Sequence, residues 1–147
     1  MDYVKYIRDI VGPKKIIMTA SACIIFNEDN HILLQLRGDD NYWGLPGGMM
    51  ELNELPEETA IREVLEETGY NISIESYLGD YHNFNKYWPS GDLAHVICFV
   101  YTGKIRSGNM IIDNKETIDL KWFPKDNLPE IDSIIHNNAI REFYKKL

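Results

Sequence analysis

Residues 62–69 read REVLEETG, which sets Glu63, Glu66 and Glu67 within five positions and closes on Gly69. The last turn of a helix leaves carbonyls unpaired and carries partial negative charge, so cations are favoured there and anions are not. On a helical wheel of about 100° per residue, Glu66 and Glu67 fall within roughly 60° on either side of Glu63. Ile61, Val64, Leu65 and Thr68 gather on the opposite side. That stripe would dock the helix on a sheet while three carboxylates face outward. Glu63 is a spacing neighbour of both other glutamates, and each such pair repels by a few tenths of a kcal/mol. Arg62 offers one cation against three anions. A solvated acidic face is the ordinary fate of helix glutamates, but two features argue for more. The charges crowd the turn where the dipole penalises them, and a glycine-rich loop, Gly44–Gly48, precedes the helix and can bring backbone carbonyls beside them. Hard divalent cations take oxygen ligands, and Mg²⁺ typically combines a few carboxylates with substrate phosphates. A cation would turn the repulsion into coordination.

Outward from this stretch the chain punctuates itself clearly. The glutamate helix is expected over 56–68, with Pro56 tolerated in its first turn and Gly69 as its stop. Tyr3, Val4, Ile7, Ile10 and Val11 recur at helical spacing before Gly12-Pro13. Strands are expected at 16–26 and 31–37, joined by a polar turn at 27–30. The stretch GDDNYWGLPGG (38–48) is rich in turn formers and reads as loop. Alternation over 71–81 marks a half-buried strand, 82–92 an aromatic loop, 94–103 a central strand and 117–123 a short one. A terminal helix is expected over 133–147. The fold class is α+β: a mixed β-sheet between α-helices, in an α/β/α arrangement. Residues 1–147 are expected to form one domain, with 1–12 as a helical N-terminal extension that packs on its own domain or on a second subunit.

With 147 residues, 44% apolar and 12% aromatic, the chain can build a core, and its composition is that of a globular protein rather than a disordered one. A formal net charge of -8 and a pI near 4.9 argue against extended contact with a nucleic-acid backbone. A small polyanionic substrate would need a metal or a local basic spot. Cys23 and Cys98 both stand in apolar runs and read as buried thiols without zinc-site spacing. KKIIMTASAC (14–23) has the outline of a secretory signal, but its apolar part is short and the run continues through Phe26, so it reads as a buried strand. No run approaches the roughly 18 apolar residues of a membrane span. A cytoplasmic location and no membrane partner are expected.

GMMELNELPEETAIREVLEETGY (48–70) resembles the signature of the Nudix hydrolase family, the MutT-like enzymes. Gly48, Glu54, Arg62, Glu63, Val64, Glu66, Glu67 and Gly69 all match; Tyr70 departs, being aromatic where an aliphatic is usual. WGLPGG before it and ETIDLKWFP after it also look like family features, so the resemblance covers nearly the whole chain. Asn53 stands where glycine is common, and Asn tolerates the left-handed conformation. Leu55 replaces a serine or threonine and cannot cap, which weakens that helix start by about 1 kcal/mol.

The resemblance implies a pyrophosphohydrolase that cleaves a nucleoside diphosphate linked to another moiety, with Mg²⁺ or Mn²⁺, by attack of water on phosphorus. It implies Glu63, Glu66, Glu67 and the Gly47 carbonyl as metal ligands, with Glu63 as an alternative proton acceptor. Arg62 would orient a glutamate, and Glu54 and Glu51 would hold metal-bound waters. Glu116 is the candidate for a late acidic ligand. Arg37 is expected either to touch a substrate phosphate or to pair with Asp39 or Asp40. Tyr81, Phe84, Tyr87 and Trp88 are candidates for substrate binding, as a wall against which a nucleobase stacks, while Trp43 reads as a core anchor. A nucleotide-type small molecule is the expected partner, for a monomer or a homodimer. Two other functions stay open: isopentenyl-diphosphate isomerase chemistry, which needs a catalytic cysteine, and nucleotide sensing without cleavage.

Overall fold

The apolar run expected at 16–26 forms the spine of the molecule. In the computed structural model, which describes residues 2–147, it is strand β1 (Ile16–Ile25), followed by β2 (Ile32–Arg37). Then come β3 (Trp43–Gly44), β4 (Gly47–Met49), helix α2 (Pro56–Thr68), β5 (Tyr70–Tyr87), β6 (Leu93–Gly108), β7 (Thr117–Phe123) and α3 (Ile134–Lys145); helix α1 (Tyr3–Val11) precedes them all. β1 pairs in parallel with β6, Ile16 opposite Ala94 through Ile25 opposite Gly103, and antiparallel with β4. The four-stranded sheet runs β4-β1-β6-β5, and a three-stranded antiparallel sheet runs β3-β2-β7. A strand buried on both faces carries a continuous apolar run, as β1 does.

Two cores follow from strand alternation. Met18, Ala20, Ala22 and Ile24 of β1 and Ala94, Val96, Cys98 and Val100 of β6 pack with Ile135, Ala139, Ile140 and Phe143 of α3. Val4 and Ile7 of α1 join this cluster, so the N-terminal helix packs on its own chain. On the other face, Cys23 and Ile25 meet Ile61 and Val64 of α2. Helices thus cover both faces of the mixed sheet.

Three expectations need correction. The stretch 38–48 is not all loop, because Trp43–Gly44 and Gly47–Met49 form short strands against β2 and β1. The aromatic stretch is not a loop either: β5 runs to Tyr87, paired with β6, and absorbs the irregular sequence by a bulge between Asn83 and Lys86. The docking stripe of α2 is also rotated, since Leu65 is exposed and Glu67 is only 4% exposed. Glu67 turns inward because a backbone amide and an arginine await it there.

Asn53 does adopt the left-handed conformation, with φ 67°. The N-cap Leu55 supplies no side-chain acceptor, but Glu58 accepts the Leu55 amide proton at 2.9 Å, which keeps half of a capping box. At the other end Gly69 has φ 83° and donates to the Leu65 carbonyl at 3.0 Å.

Candidate active site

The glutamates of α2 are organised by arginine. Arg62 donates to Glu54 through Nε at 2.6 Å and Nη2 at 3.0 Å, to Glu63 at 2.8 Å and to Glu66 at 3.4 Å. It also reaches the Met49 carbonyl at 3.1 Å, fastening the helix to β4. The guanidinium beside Glu54 holds that carboxyl down at about 2, and Glu54 in turn, by hydrogen bonding, leads in raising the Arg62 pKa. Glu54 further accepts from the Glu51 amide and the Thr59 hydroxyl. Its oxygens are committed to bracing Arg62 and the loop.

Glu67 is held from other elements. Its Oε1 accepts the Gly47 amide proton at 2.8 Å, and its Oε2 meets Arg37 Nη1 at 3.3 Å. Burial pushes the Glu67 carboxyl up to about 7 against the pull of Arg37 and the Gly47 amide. Burial also raises Glu63, opposed by Arg62 and aided by the charges of Glu66 and Glu116. Glu116 is exposed at the start of β7, near enough for its charge to be felt at Glu63. Of the two expected contacts of Arg37, the pairing with Asp39 is present at 3.3 Å, and its Nη1 donates to Glu67, a partner the sequence did not suggest. Its pKa rises although burial opposes its charge, because Glu67 and Asp39 outweigh that cost.

The fit to a divalent cation rests on the donor set and on one glycine. Glu63, Glu66 and Glu67 offer only carboxylate oxygens, and the Arg62 guanidinium shows that Glu63 and Glu66 reach one positive charge together. A Cβ at Gly48 would stand 2.5 to 2.7 Å from the Glu63 carboxyl atoms, so the glycine leaves open the cradle in which that carboxylate lies. Among the described residues, no three acidic or imidazole groups already converge on one ion position. Glu63 and Glu66 meet on Arg62, whereas Glu67 is turned to Arg37 and the Gly47 amide.

The aromatic candidates do not make one wall. Tyr81 and Trp88 pack against the α3-side core. Phe84 stacks on His82 and lies tilted against His95 beside the bulge, and Tyr87 is 66% exposed. A strand sends alternate side chains to opposite faces, which a loop need not do. Trp43 is a core anchor, edge-on to Phe123 at 5.0 Å. Cys23 and Cys98 are buried, and burial pushes both thiols far up, Cys98 to about 12, which disarms them as nucleophiles.

Other residues of the site carried no sequence signal beyond an odd polar position in an apolar run. Gln35 in β2 donates to the Thr117 hydroxyl at 2.8 Å, and that hydroxyl donates to the Glu67 carbonyl at 2.8 Å, capping the last turn of α2. His136 of α3 accepts the Leu45 amide proton on Nδ1 at 3.1 Å. Gly44 passes so close that a Cβ there would lie 2.7 Å from that nitrogen. Glu51, expected near metal-bound water, accepts the Tyr3 amide proton at 3.3 Å on each oxygen and so anchors α1.

The His136 contact has a pH signature. Burial, with Arg37 and Lys86 nearby, lowers the His136 pKa from 6.5 to about 4. The folded chain therefore binds fewer protons than the unfolded one, so the stabilisation is complete above 6.5 and lost as pH falls towards 4. His136 is half-buried as a residue, and the loss is about 1–3 kcal/mol. Melting temperatures of the wild type are expected to fall over this range more steeply than those of His136→Asn, whose amide oxygen accepts the same proton without titrating. Parallel slopes would contradict this.

Comparison with known proteins adds an independent line. Residues 17–147 match the family model described as NUDIX domain. A putative 8-oxo-dGTP diphosphatase of Bacillus subtilis (strain 168) is 40% identical over 107 residues, covering 72% of this chain and 66% of that protein. An ADP-ribose pyrophosphatase of Methanocaldococcus jannaschii is 33% identical over 130 residues, covering 82% and 70%. The solved structure of a MutT protein from Methanosarcina mazei Go1 superposes with a TM-score of 0.73 at 21% identity, over 90% of this chain and 97% of that one, a likeness of fold. The chain spans about two thirds of the length of the first curated relatives it matches. No helix among the described residues is long and apolar enough to cross a membrane.

Proposed function

The chain belongs to the NUDIX family, and from that premise we propose that it is a divalent-cation-dependent pyrophosphohydrolase. Its substrate is a nucleoside diphosphate linked to another moiety, and water attacks phosphorus. The observation that carries this reading is the arginine-braced carboxylate array, with Glu63 in the space that Gly48 leaves and Glu67 locked onto the Gly47 amide.

Glu63, Glu66, Glu67 and the Gly47 carbonyl would hold Mg²⁺ or Mn²⁺, with Glu116 joining from the β7 side. Such a cation supplies Lewis-acid polarisation of phosphoryl oxygens and makes water a better nucleophile near neutral pH. The chain's own residues do the remaining work. Alternatively Glu63 stays off the cation and accepts the proton of the attacking water. Arg62 fixes the direction of the Glu63 carboxylate through a charged hydrogen bond, and Glu54 fixes Arg62. Arg37 stands at the opposite side of Glu67, where it can bind a phosphate oxygen as the phosphate chain enters. Phosphoryl transfer depends mainly on such positioning and charge neutralisation. Of the aromatic candidates, Phe84 and Tyr87 are open to a ligand, whereas Tyr81 and Trp88 would have to leave core contacts. We take the whole of 1–147 as one catalytic domain.

Incubation with nucleoside triphosphates, ADP-ribose, nucleotide sugars and dinucleoside polyphosphates in Mg²⁺ or Mn²⁺ is expected to release phosphate-bearing products, and chelation to stop the release. Full activity in chelator, or no cleavage of any class with either metal, would overturn the proposal.

A further inference from the structure

Helix α1 lies outside the matched family domain, yet its first turn belongs to the catalytic cleft. Asp2 and Val4 line a cavity of about 420 Å³ together with Met49, Glu51, Arg62, Glu63 and Glu66. The helix is fixed there at both ends. At its start the Tyr3 amide bonds Glu51. Towards its end Arg8, with a side chain only 10% exposed, donates to the Leu93 carbonyl at 2.9 Å and pairs with Asp92. A continuous chain of hydrogen bonds then runs from α1 into the carboxylates: Tyr3 to Glu51, the Glu51 amide to Glu54, Glu54 to Arg62, and Arg62 to Glu63 and Glu66.

Among the described residues the lining sets four carboxylates against one guanidinium. In the proposed reaction Glu63 and Glu66 are neutralised by the cation, and Glu51 is turned to the Tyr3 amide. Asp2, the N-cap of α1, accepts the Lys5 amide proton and is not among the proposed ligands of the cation. Beside it Val4 and Met49 provide apolar surface. A leaving group that ends in another phosphate would meet Asp2 as a like charge, whereas an uncharged group would meet no such penalty.

We propose that the first turn of α1, through Asp2 and Val4, is a specificity wall of the catalytic cleft that favours a nucleoside diphosphate capped by an uncharged group over a nucleoside triphosphate. The inference rests on the function proposed above, but its effect on binding can be read without turnover. Asp2→Asn removes the charge while asparagine keeps the N-cap. Asp9→Asn, on the same helix but paired with Lys5 in solvent and not part of the cleft lining, controls for net charge. Pyrophosphate and tripolyphosphate, titrated calorimetrically in Mg²⁺, carry the phosphate chain without a base.

Asp2→Asn is expected to tighten tripolyphosphate by about two- to fivefold and pyrophosphate less, with the difference shrinking at high salt. Asp9→Asn is expected to change neither. In turnover, Asp2→Asn should lower KM for nucleoside triphosphates relative to ADP-ribose and leave kcat within about twofold. Equal responses of both ligands to Asp2→Asn, the same response to Asp9→Asn, or no binding of either ligand by the wild type would overturn the wall. A wild type that binds with the expected response yet cleaves no phosphoanhydride would overturn the proposed hydrolase and leave the wall standing.

Discussion

Glu67→Gln is expected to lower turnover by more than the roughly 10–100-fold typical of residues that only support a metal ligand, while the protein stays folded. The geometry explains both halves. Glutamine preserves an oxygen to accept the Gly47 amide proton, so the contact between α2 and the glycine loop survives. It removes a carboxylate that burial already holds at about 7, so at neutral pH the fold gives up little charge stabilisation. What it loses is an anionic ligand, and an amide binds Mg²⁺ far less well. Glu66→Gln is expected to match it in activity, since it too loses an anionic ligand, and to keep its fold because the Glu66 side chain is 54% exposed and makes only a solvent-screened contact to Arg62. Melting curves and steady-state rates of both variants decide the matter. Near-normal rates in both would remove the carboxylates from the chemistry. A collapsed fold in Glu66→Gln would show that the residue is structural.

The second large effect concerns neighbouring glycines with opposite failures. A Cβ at position 47 would lie 2.3 Å from the Ser21 carbonyl oxygen and 2.7 Å from the Ala22 Cα, both backbone atoms of the central strand β1. Backbone cannot rotate aside, so Gly47→Ala must part β4 from β1 and drag the Glu67 contact with it. The cost is expected at or above the top of the usual overpacking range of about 1–3 kcal/mol. For a domain of this size that is a fall of about 6–12 °C in melting temperature. At position 48 the obstacle is the far end of Glu63, a flexible side chain. Gly48→Ala is therefore expected to melt within about 2 °C of the wild type and to lose activity as Glu63 is pushed from its cradle. Thermal melts of the pair test this directly. If Gly47→Ala melts with the wild type, the close approach of the two strands is wrong.

The helix at 56–68 and the strand at 117–123 were legible to the residue, because proline, glycine and alternation mark their ends locally. The family signature placed the glutamates on one helix. What it could not show is that Glu67 faces inward, since a wheel treats every carboxylate as solvent-seeking. The partners that draw it in, Gly47 and Arg37, lie 20 and 30 positions away. His136 and Gln35 were hidden for the same reason: each acts through hydrogen bonds to distant parts of the chain. The aromatic segment misled because a bulge disguises strand periodicity as a loop. Nothing local in the first dozen residues showed that they reach the cleft, a fact fixed by Arg8 and Tyr3 through contacts with Leu93 and Glu51.

The parallel pairing of β1 with β6 has a consequence for synthesis on the ribosome. β1 is complete at Ile25, but its partner register closes only at Gly103. At about 5–20 residues per second, roughly 80 residues of waiting correspond to about 4–16 s. For that interval the most apolar strand of the chain has only the short β4 to pair with, and its other edge is open to any extended segment nearby. The nascent chain is therefore most vulnerable to aggregation before β6 emerges, and holdase chaperones would act in that window.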